Sequence, residues 1–395
     1  MLAALVTLGR VFHSVLTRGP SGLFNDFYDY WAAAVLLNHG QNPYDIVALH
    51  AVEQHAGVVS ETGTGYSYPV FFAELLRPLA LISPEPAAFV FTILSLVALL
   101  LAIGLLLASI PNLGWTVGLL GGAAGGLFPP VIGSLYFGQA NLIVLLPLAV
   151  CYRCLAPGPM LGLASAIKVY PITGFLAAVM RKRWRALRNG VAVFAVLLVL
   201  QLTVNGGGLG TAGSFLGPDT YWSNESINGF VSRLAVASTW TRPPLPDFPV
   251  EAVMLLLVAL LTLLTVAVLW AARERSWEGA LALSLWLGVV VAPKNSLWNF
   301  TPLLLGIVFS WVQLGRRWWL FALGVAGWLL LEAQAQLDSS RETVYQASPG
   351  LTWLSSLGLY GALIIGGVTA YVLLRPASGD RPADRHGHGE LHVRR

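Results

Sequence analysis

From Phe89 to Ser109 the chain runs without one charged side chain, and that stretch decides the solvent this protein folds in. A helix needs roughly 20 apolar residues to cross the ~30 Å hydrocarbon core of a bilayer, and inside that core each backbone polar group has to be satisfied within the protein. Asn141 to Val150 is a second charge-free run. Of 395 residues, 56% are hydrophobic and only 11% charged, a balance that excludes a water-soluble domain and predicts an all-α polytopic membrane protein. No soluble catalytic domain is left once the apolar stretches are assigned. The formal net charge of +4 then reads as a topology signal, with no nucleic-acid partner implied.

Spans are expected near residues 85–109, 113–134, 139–155, 188–205, 250–272, 277–293, 297–313, 317–337 and 351–374. A short first span over Met1 to Leu16 precedes them and lacks a small-residue cleavage site, so it is expected to stay attached. Residues 158–180 do not read as one straight span, because Lys168-Val-Tyr-Pro171 interrupts an otherwise apolar stretch. Two half-length helices with Lys168 near their tip fit better, and broken helices at membrane depth survive only where they line a protein cavity. The expectation is about twelve membrane segments forming one integral membrane domain over residues 1–374. Arg181, Lys182, Arg183, Arg185 and Arg188, then Arg273 and Arg275, then Arg316 and Arg317, and finally the tail from Arg375 fall on one side if the spans alternate. That side is predicted to be cytoplasmic. Residues 20–83, 206–249 and 338–350 become external loops, and residues 375–395, charged and containing Gly and Pro, a disordered cytoplasmic tail.

The first external loop holds the stretch Asn25 to Asp45, which is unlike the rest of the chain. Phe27, Tyr30, Trp31, Ala34 and Leu37 recur at three- and four-residue spacing and predict a short interfacial helix with one apolar face. Asp26 stands where an N-cap belongs, Asp29 lies at the helix start as a solvated charge, and Gly40 suits a left-handed C-cap. A second segment, Tyr66 to Ile82, carries Glu74, Arg77 and two prolines and predicts an interfacial or re-entrant helix.

Several short motifs run in order along the chain: Asp26-Phe-x-x-Tyr30-x-Ala32, Gly40-x-Asn-Pro-Tyr-Asp45, Tyr68-Pro, Gly138-Gln-x-Asn141, Ala166-Ile-Lys168-x-x-Pro171, and Asn224-x-Ser-x-x-Gly229-x-x-x-Arg233. Together they resemble glycosyltransferase family 87 over roughly residues 20 to 315. That family comprises polyprenyl-phosphate-mannose-dependent α-mannosyltransferases of the GT-C fold. The resemblance implies a polyprenyl-phosphate-mannose donor, a glycolipid or glycan acceptor, contact with membrane lipids, and an active site on the external side of the cell membrane. It implies no cofactor and no metal, the lipid-linked sugar being a co-substrate. A β-linked donor and an α-linked product imply a single inverting displacement. One departure stands out: members often carry paired histidines after a Ser-Pro at the outer end of a late span, and Trp298 and Asn299 stand in their place here.

The resemblance places the catalytic base at Asp26, and the chemistry agrees, since a carboxylate at the mouth of an external helix can take the acceptor proton. A cation must hold the leaving phosphate; Lys168 is the first candidate and Arg233 the second. Asp29, Tyr30, Tyr68, Gln139, Asn141, Asn224, Lys294 and Asn299 are the expected substrate-binding residues. Plainer roles stand beside these: Asp26 as a cap, Lys168 as a cation snorkelling to the interface, Arg233 as a loop anchor, and Gln139 and Asn141 as interhelical hydrogen-bonders. The glycine-rich Gly121 to Gly126 suits a groove for the lipid chain. Cys151 and Cys154 have half the spacing of a zinc site and no second pair, so packing thiols are expected, and the tail histidines His386, His388 and His392 form no recognisable site. No Asp-x-Asp, P-loop or dinucleotide pattern points to a nucleotide-sugar enzyme. A lipid transporter or flippase would use a broken-helix lysine equally well, although it has little need of an acidic external helix.

Overall fold

The computed structural model describes residues 2–18, 23–58, 65–199, 217–239, 241–246, 248–313, 317–340 and 355–375. The tail after 375, the loop 341–354, residues 206–216 of the second expected loop and the end of the span at 188–205 lie outside them. Among the described residues every regular element is helical. In order these are α1 (Leu2–Arg18), α2 (Asn25–Asn38), α3 (Ile46–His55), α4 (Val70–Leu76), α5 (Pro84–Leu107), α6 (Trp115–Leu127), α7 (Pro129–Tyr136), α8 (Asn141–Tyr152), α9 (Pro157–Ile167) and α10 (Gly174–Met180). Then follow α11 (Trp184–Val199), α12 (Ile227–Ala235), α13 (Val250–Ala271), α14 (Trp277–Val291), α15 (Leu303–Gln313), α16 (Trp318–Ser340) and α17 (Leu357–Leu374). Short 3₁₀ turns at Leu79–Leu81, Tyr170–Thr173 and Leu297–Phe300 join them.

Four helices are long and apolar enough to cross a membrane: α5, α13, α16 over Trp318–Asp338, and α17. A fifth is α6 with α7, if the pair is one span bent by 53°. The expected straight span at 113–134 is therefore broken, because Phe128 precedes Pro129-Pro130 and takes extended angles (φ −59°, ψ 122°). The span expected at 139–155 is a helix of 12 residues with Pro147 inside it. At 1.5 Å per residue it is about 18 Å long, short of a full hydrocarbon core. These breaks leave α7, α8 and other described helices shorter than a full crossing, so among the described residues four or five of the expected twelve segments, half-helices counted, have the length and apolarity of a span.

Contacts sort the helix ends into two groups. At one end Arg181 donates to the carbonyls of Arg273 (2.6 Å) and Ala272 (3.3 Å), Trp277 Nε1 donates to Cys151 O (2.9 Å), and Arg275 donates to Leu373 O (3.4 Å). That gathers the C-terminal ends of α8, α10, α13 and α17 with the start of α14, and with them Arg181, Arg273 and Arg275. The break in residues 158–180 falls where expected: α9 ends at Lys168, which is extended (φ −145°, ψ 138°), and the chain turns through Tyr170–Thr173 into α10. Gly158 and Gly162 let α9 lie against α11, since a Cβ on either would collide with the carbonyl of Ala186 or Gly190. Small residues four apart on both helices allow that backbone approach. Gly121 to Gly126 serves a similar purpose: Gly125 faces Ile103 of α5, and Gly126 O accepts from Thr7 Oγ1 of α1 at 2.7 Å.

Candidate active site

The helix of the first loop is buried on nearly every side, not along one face. Phe27, Tyr30, Trp31 and Ala34 are buried as expected and Leu37 is half-buried, but Asn25, Asp29, Ala32, Ala33 and Leu36 are buried too. Asp29 is thus an interior carboxylate (4% exposed) and not a solvated one. Nor is Asp26 the cap. Phe24 holds that place in a left-handed conformation (φ 59°), and the first N–H groups of α2 donate to carbonyls at the end of α7: Phe24 N to Tyr136 O (2.9 Å), and Asp26 N and Phe27 N to Phe137 O (3.1 and 3.3 Å). With those donors satisfied by backbone, no side-chain cap is needed, and the Asp26 carboxylate accepts from Gln139 Nε2 instead.

Gly138 makes this junction possible. Its φ is +67°, and a Cβ there would stand 2.6 Å from the Cβ of Phe27. Only glycine supplies that angle without cost and leaves room for α2 to dock. Gly40 is likewise left-handed (φ +69°) just beyond α2, as a C-terminal glycine should be.

The segment Tyr66 to Ile82 divides into α4, which follows Pro69, and the turn Leu79–Leu81, which follows Pro78, so it is no single re-entrant helix. It is fastened by tyrosines. Tyr66 Oη donates to Pro69 O (2.7 Å) and accepts from Ala73 N (2.9 Å), while Tyr44 Oη donates to Tyr68 O (2.8 Å). Asp45 of the Asn-Pro-Tyr-Asp motif caps α3, accepting from Val47 N (3.0 Å) and Ala48 N (3.1 Å). These contacts set Tyr68 beside Tyr30, whose hydroxyl donates to it at 2.7 Å. Desolvation by packing, with the Asp26 carboxylate adding to it, holds the Tyr68 phenol protonated well above its usual range.

Lys168 is the centre of the cluster. Its ammonium donates to Asn299 Oδ1 (2.7 Å), Asn141 Oδ1 (2.8 Å), Tyr68 Oη (2.9 Å) and Gln139 Oε1 (3.2 Å). None of the four acceptors is a carboxylate, and an ammonium has only three protons to share among them. Asn141 is fully buried and braced from behind, its Nδ2 sharing two protons among Trp298 O (3.0 Å), Asn299 Oδ1 (3.1 Å) and Ser134 Oγ (3.2 Å). Gln139 joins both halves: its amide nitrogen donates to Asp26, and its Oε1 accepts from Tyr68 (2.6 Å), Tyr30 (3.1 Å) and Lys168. Asp26, Tyr68, Lys168 and Asn299 are half-buried, whereas Tyr30, Gln139 and Asn141 behind them are buried. A wall therefore presents one carboxylate and one ammonium on its accessible side, seven of the residues singled out in the sequence standing together in it.

Four do not join it. Arg233 is 1% exposed and spends its guanidinium on the carbonyls of Tyr221 and Asn224 (both 2.9 Å), on Ser355 O (3.3 Å) and on Ser356 Oγ (2.6 Å). Asn224 ties the same loop to Pro293 O (3.1 Å) and Asn295 N (3.1 Å). Lys294 lies 3.6 Å from Asp219, and Asp29 is inside α2's packing. Sequence reasoning missed Ser134, Gly138's clearance for Phe27, and Phe137, whose ring stacks on Trp298 with centroids 4.3 Å apart. It also missed Glu225, fully buried with Oε2 accepting from Leu359 N (3.1 Å). Nothing in its polar surroundings, Trp-Ser-Asn-Glu-Ser, signals burial.

The profile of glycosyltransferase family 87 matches residues 66–293, more than half of the chain. The chain belongs to glycosyltransferase family 87. No curated protein matches it, and no solved structure does. As a family 87 protein it is a membrane glycosyltransferase. The matched region contains Tyr68, Gln139, Asn141 and Lys168 but not Asp26 or Asn299, and hydrogen bonds to Gln139 and Lys168 attach both of these to it.

Proposed function

We propose that this family 87 chain, folded as a GT-C enzyme, moves mannose from a polyprenyl-phosphate donor to a hydroxyl of a glycolipid or glycan at the external face of the cell membrane. The observation that carries this is the Lys168 ammonium, held by neutral oxygens alone and half open beside a carboxylate. A cation so placed favours an anionic ligand, because a phosphate oxygen offers it the charge its present partners lack. The acceptor hydroxyl attacks the anomeric carbon, the bond from that carbon to the phosphate oxygen breaks, and the configuration inverts. Asp26, oriented by Gln139, takes the hydroxyl proton. Lys168 stabilises the charge that grows on the departing polyprenyl phosphate. Tyr68, kept protonated, and Asn299 supply further polar contacts on the same wall. Arg233 has no part in the step, since its donors already serve the loop. No cofactor or metal enters it.

The test is transfer from polyprenyl-phosphate-mannose by the purified protein in proteoliposomes, beside polyprenyl-phosphate-glucose and a nucleotide-linked mannose. Transfer from the lipid-linked mannose alone is expected. Transfer only from the glucosyl lipid would overturn the sugar, and transfer from the nucleotide sugar would overturn the donor class.

A further inference from the structure

The end of the bundle opposite the candidate active site contains a cavity of about 780 Å³. Its walls are Ala156–Pro159, where α9 begins, and Lys182–Ala186 with Asn189, where the chain turns into α11. From there to Lys168 runs the length of α9, 11 residues or about 16 Å. Three cations within four residues, Lys182, Arg183 and Arg185, therefore line one concavity. The ion pairs among the described residues use Arg10, Arg77, Arg273 and Lys294, none of which lines it.

Arg183 is the fixed member of the three, and Lys182 and Arg185 stand exposed beside it. Arg181 donates to the carbonyls of Arg273, Ala272 and Arg275, which pins the turn beside it. Arg183 is held by Cys154 Sγ (3.2 Å) and lies 4.5 Å over the ring of Trp277. Lys182 sits in the left-handed region (φ 51°) where α10 ends, its N–H donating to Val179 O (3.0 Å) and that of Arg183 to Ala178 O (2.8 Å). At the rim Trp184 is 57% exposed and Leu155 66%. Beyond it α11 turns Val191, Val196 and Val199 outward, each 46% exposed or more. An open concavity with mostly apolar walls, three cations among its lining residues, an exposed tryptophan and an apolar helix face beyond it fit a lipid: acyl chains along α11, indole at the interface, phosphate among the cations.

We infer that this cavity binds the phosphodiester headgroup of an anionic phospholipid in the leaflet at the arginine-rich end. The site is separate from the sugar-transfer chemistry and does not depend on it. The experiment is native mass spectrometry of the full chain released from vesicles of equal phosphatidylglycerol and phosphatidylcholine. The wild type should retain phosphatidylglycerol preferentially. Lys182→Asn with Arg185→Gln removes two exposed cations and gives residue 182 a side chain that tolerates its left-handed angle. At roughly fivefold per basic residue near a membrane surface, the pair should lower that preference by about tenfold or more. Arg188→Gln, an exposed cation outside the cavity, should leave it within about twofold. Equal retention of both lipids by the wild type overturns the inference, and so does an Arg188→Gln loss as large as the pair's, which would mark a diffuse surface effect. Melting curves in phosphatidylcholine vesicles with inorganic phosphate separate the sources: stabilisation by phosphate equal to that by phosphatidylglycerol overturns the lipid assignment. Should the double variant fail to fold, Arg185→Gln alone carries the same comparison.

Discussion

Lys168→Met keeps most of the lysine's length and removes its charge, so it separates the two things the ammonium does. On the structural side the loss is small, because most of its partners have others. Asn299 Oδ1 still accepts from Asn141, Gln139 Oε1 still accepts from Tyr68, and Tyr68 Oη still accepts from Tyr30. Asn141 Oδ1 alone loses the hydrogen bond shown for it, and a buried acceptor left without a partner costs about 1–3 kcal/mol. On the functional side a charge-assisted bond to the donor phosphate disappears, worth about 1.5–3 kcal/mol or roughly 10- to 150-fold in donor affinity. The transition state loses a cation aimed at developing charge, which costs about 10²–10³ in kcat. The measurements are a melting curve, donor binding by calorimetry in nanodiscs, and single-turnover transfer. A folded variant that binds donor within about twofold of wild type would refute the reasoning and leave Lys168 as a cross-link between α9 and its neighbours. Lys168→Arg should not rescue fully, since a planar fork cannot reach four acceptors arranged around a point charge.

Asp26→Asn should lower turnover about a hundredfold or more while donor binding persists; Asp29→Asn, inside the packing of α2, should show its cost in the melting curve with near-normal turnover of the folded protein, and the reverse ranking would move the base. Gly138→Ala should destabilise by about 1–2 kcal/mol from its left-handed angle alone and also reduce turnover, because the clash with Phe27 pushes Asp26 away from Gln139; turnover unchanged in a destabilised protein would show that this junction does not set the catalytic geometry. Arg233→Met should cost about 3–5 kcal/mol in stability, as breaking a buried charge network does, with donor affinity of the folded fraction unaltered; a stable variant with weakened donor binding would return Arg233 to the phosphate site.

The helical class and the grouping of the arginines were legible because they depend on composition and on charge placed along the chain, and these survive any detail of packing. The breaks were legible in part. Lys168-Val-Tyr-Pro171 announced one by putting a charge and a proline inside an apolar run, and α9 does end there. Pro129-Pro130 carries the same physics, yet the uninterrupted apolar character around it hid the 53° bend. Burial of α2 was not legible, since an amphipathic repeat shows which face is buried and not whether the other face is covered too. Asn25 and Asp29 look like surface residues in a sequence and stand inside the packing.

The two candidate phosphate cations show why the site was harder to read than the fold. Lys168 and Arg233 each stand in a short motif as a lone cation among small and mostly apolar neighbours. Their difference lies in what the backbone offers them. Arg233, near the end of α12, reaches back to the irregular segment at 221–224, whose carbonyls have no helix to serve, and its guanidinium satisfies two of them at once. Lys168 ends a helix at a point where four side chains, drawn from the first loop, the start of α8 and the turn before α15, converge on one small ammonium. Carbonyls consume a cation permanently, because the fold depends on them. Side-chain amides and a phenol, all but Asn141 Oδ1 holding a second donor, can release it to a better anion at modest cost. The exchange of one neutral acceptor for a phosphate oxygen is therefore available at Lys168 and closed at Arg233, a distinction set by partners far apart in the sequence.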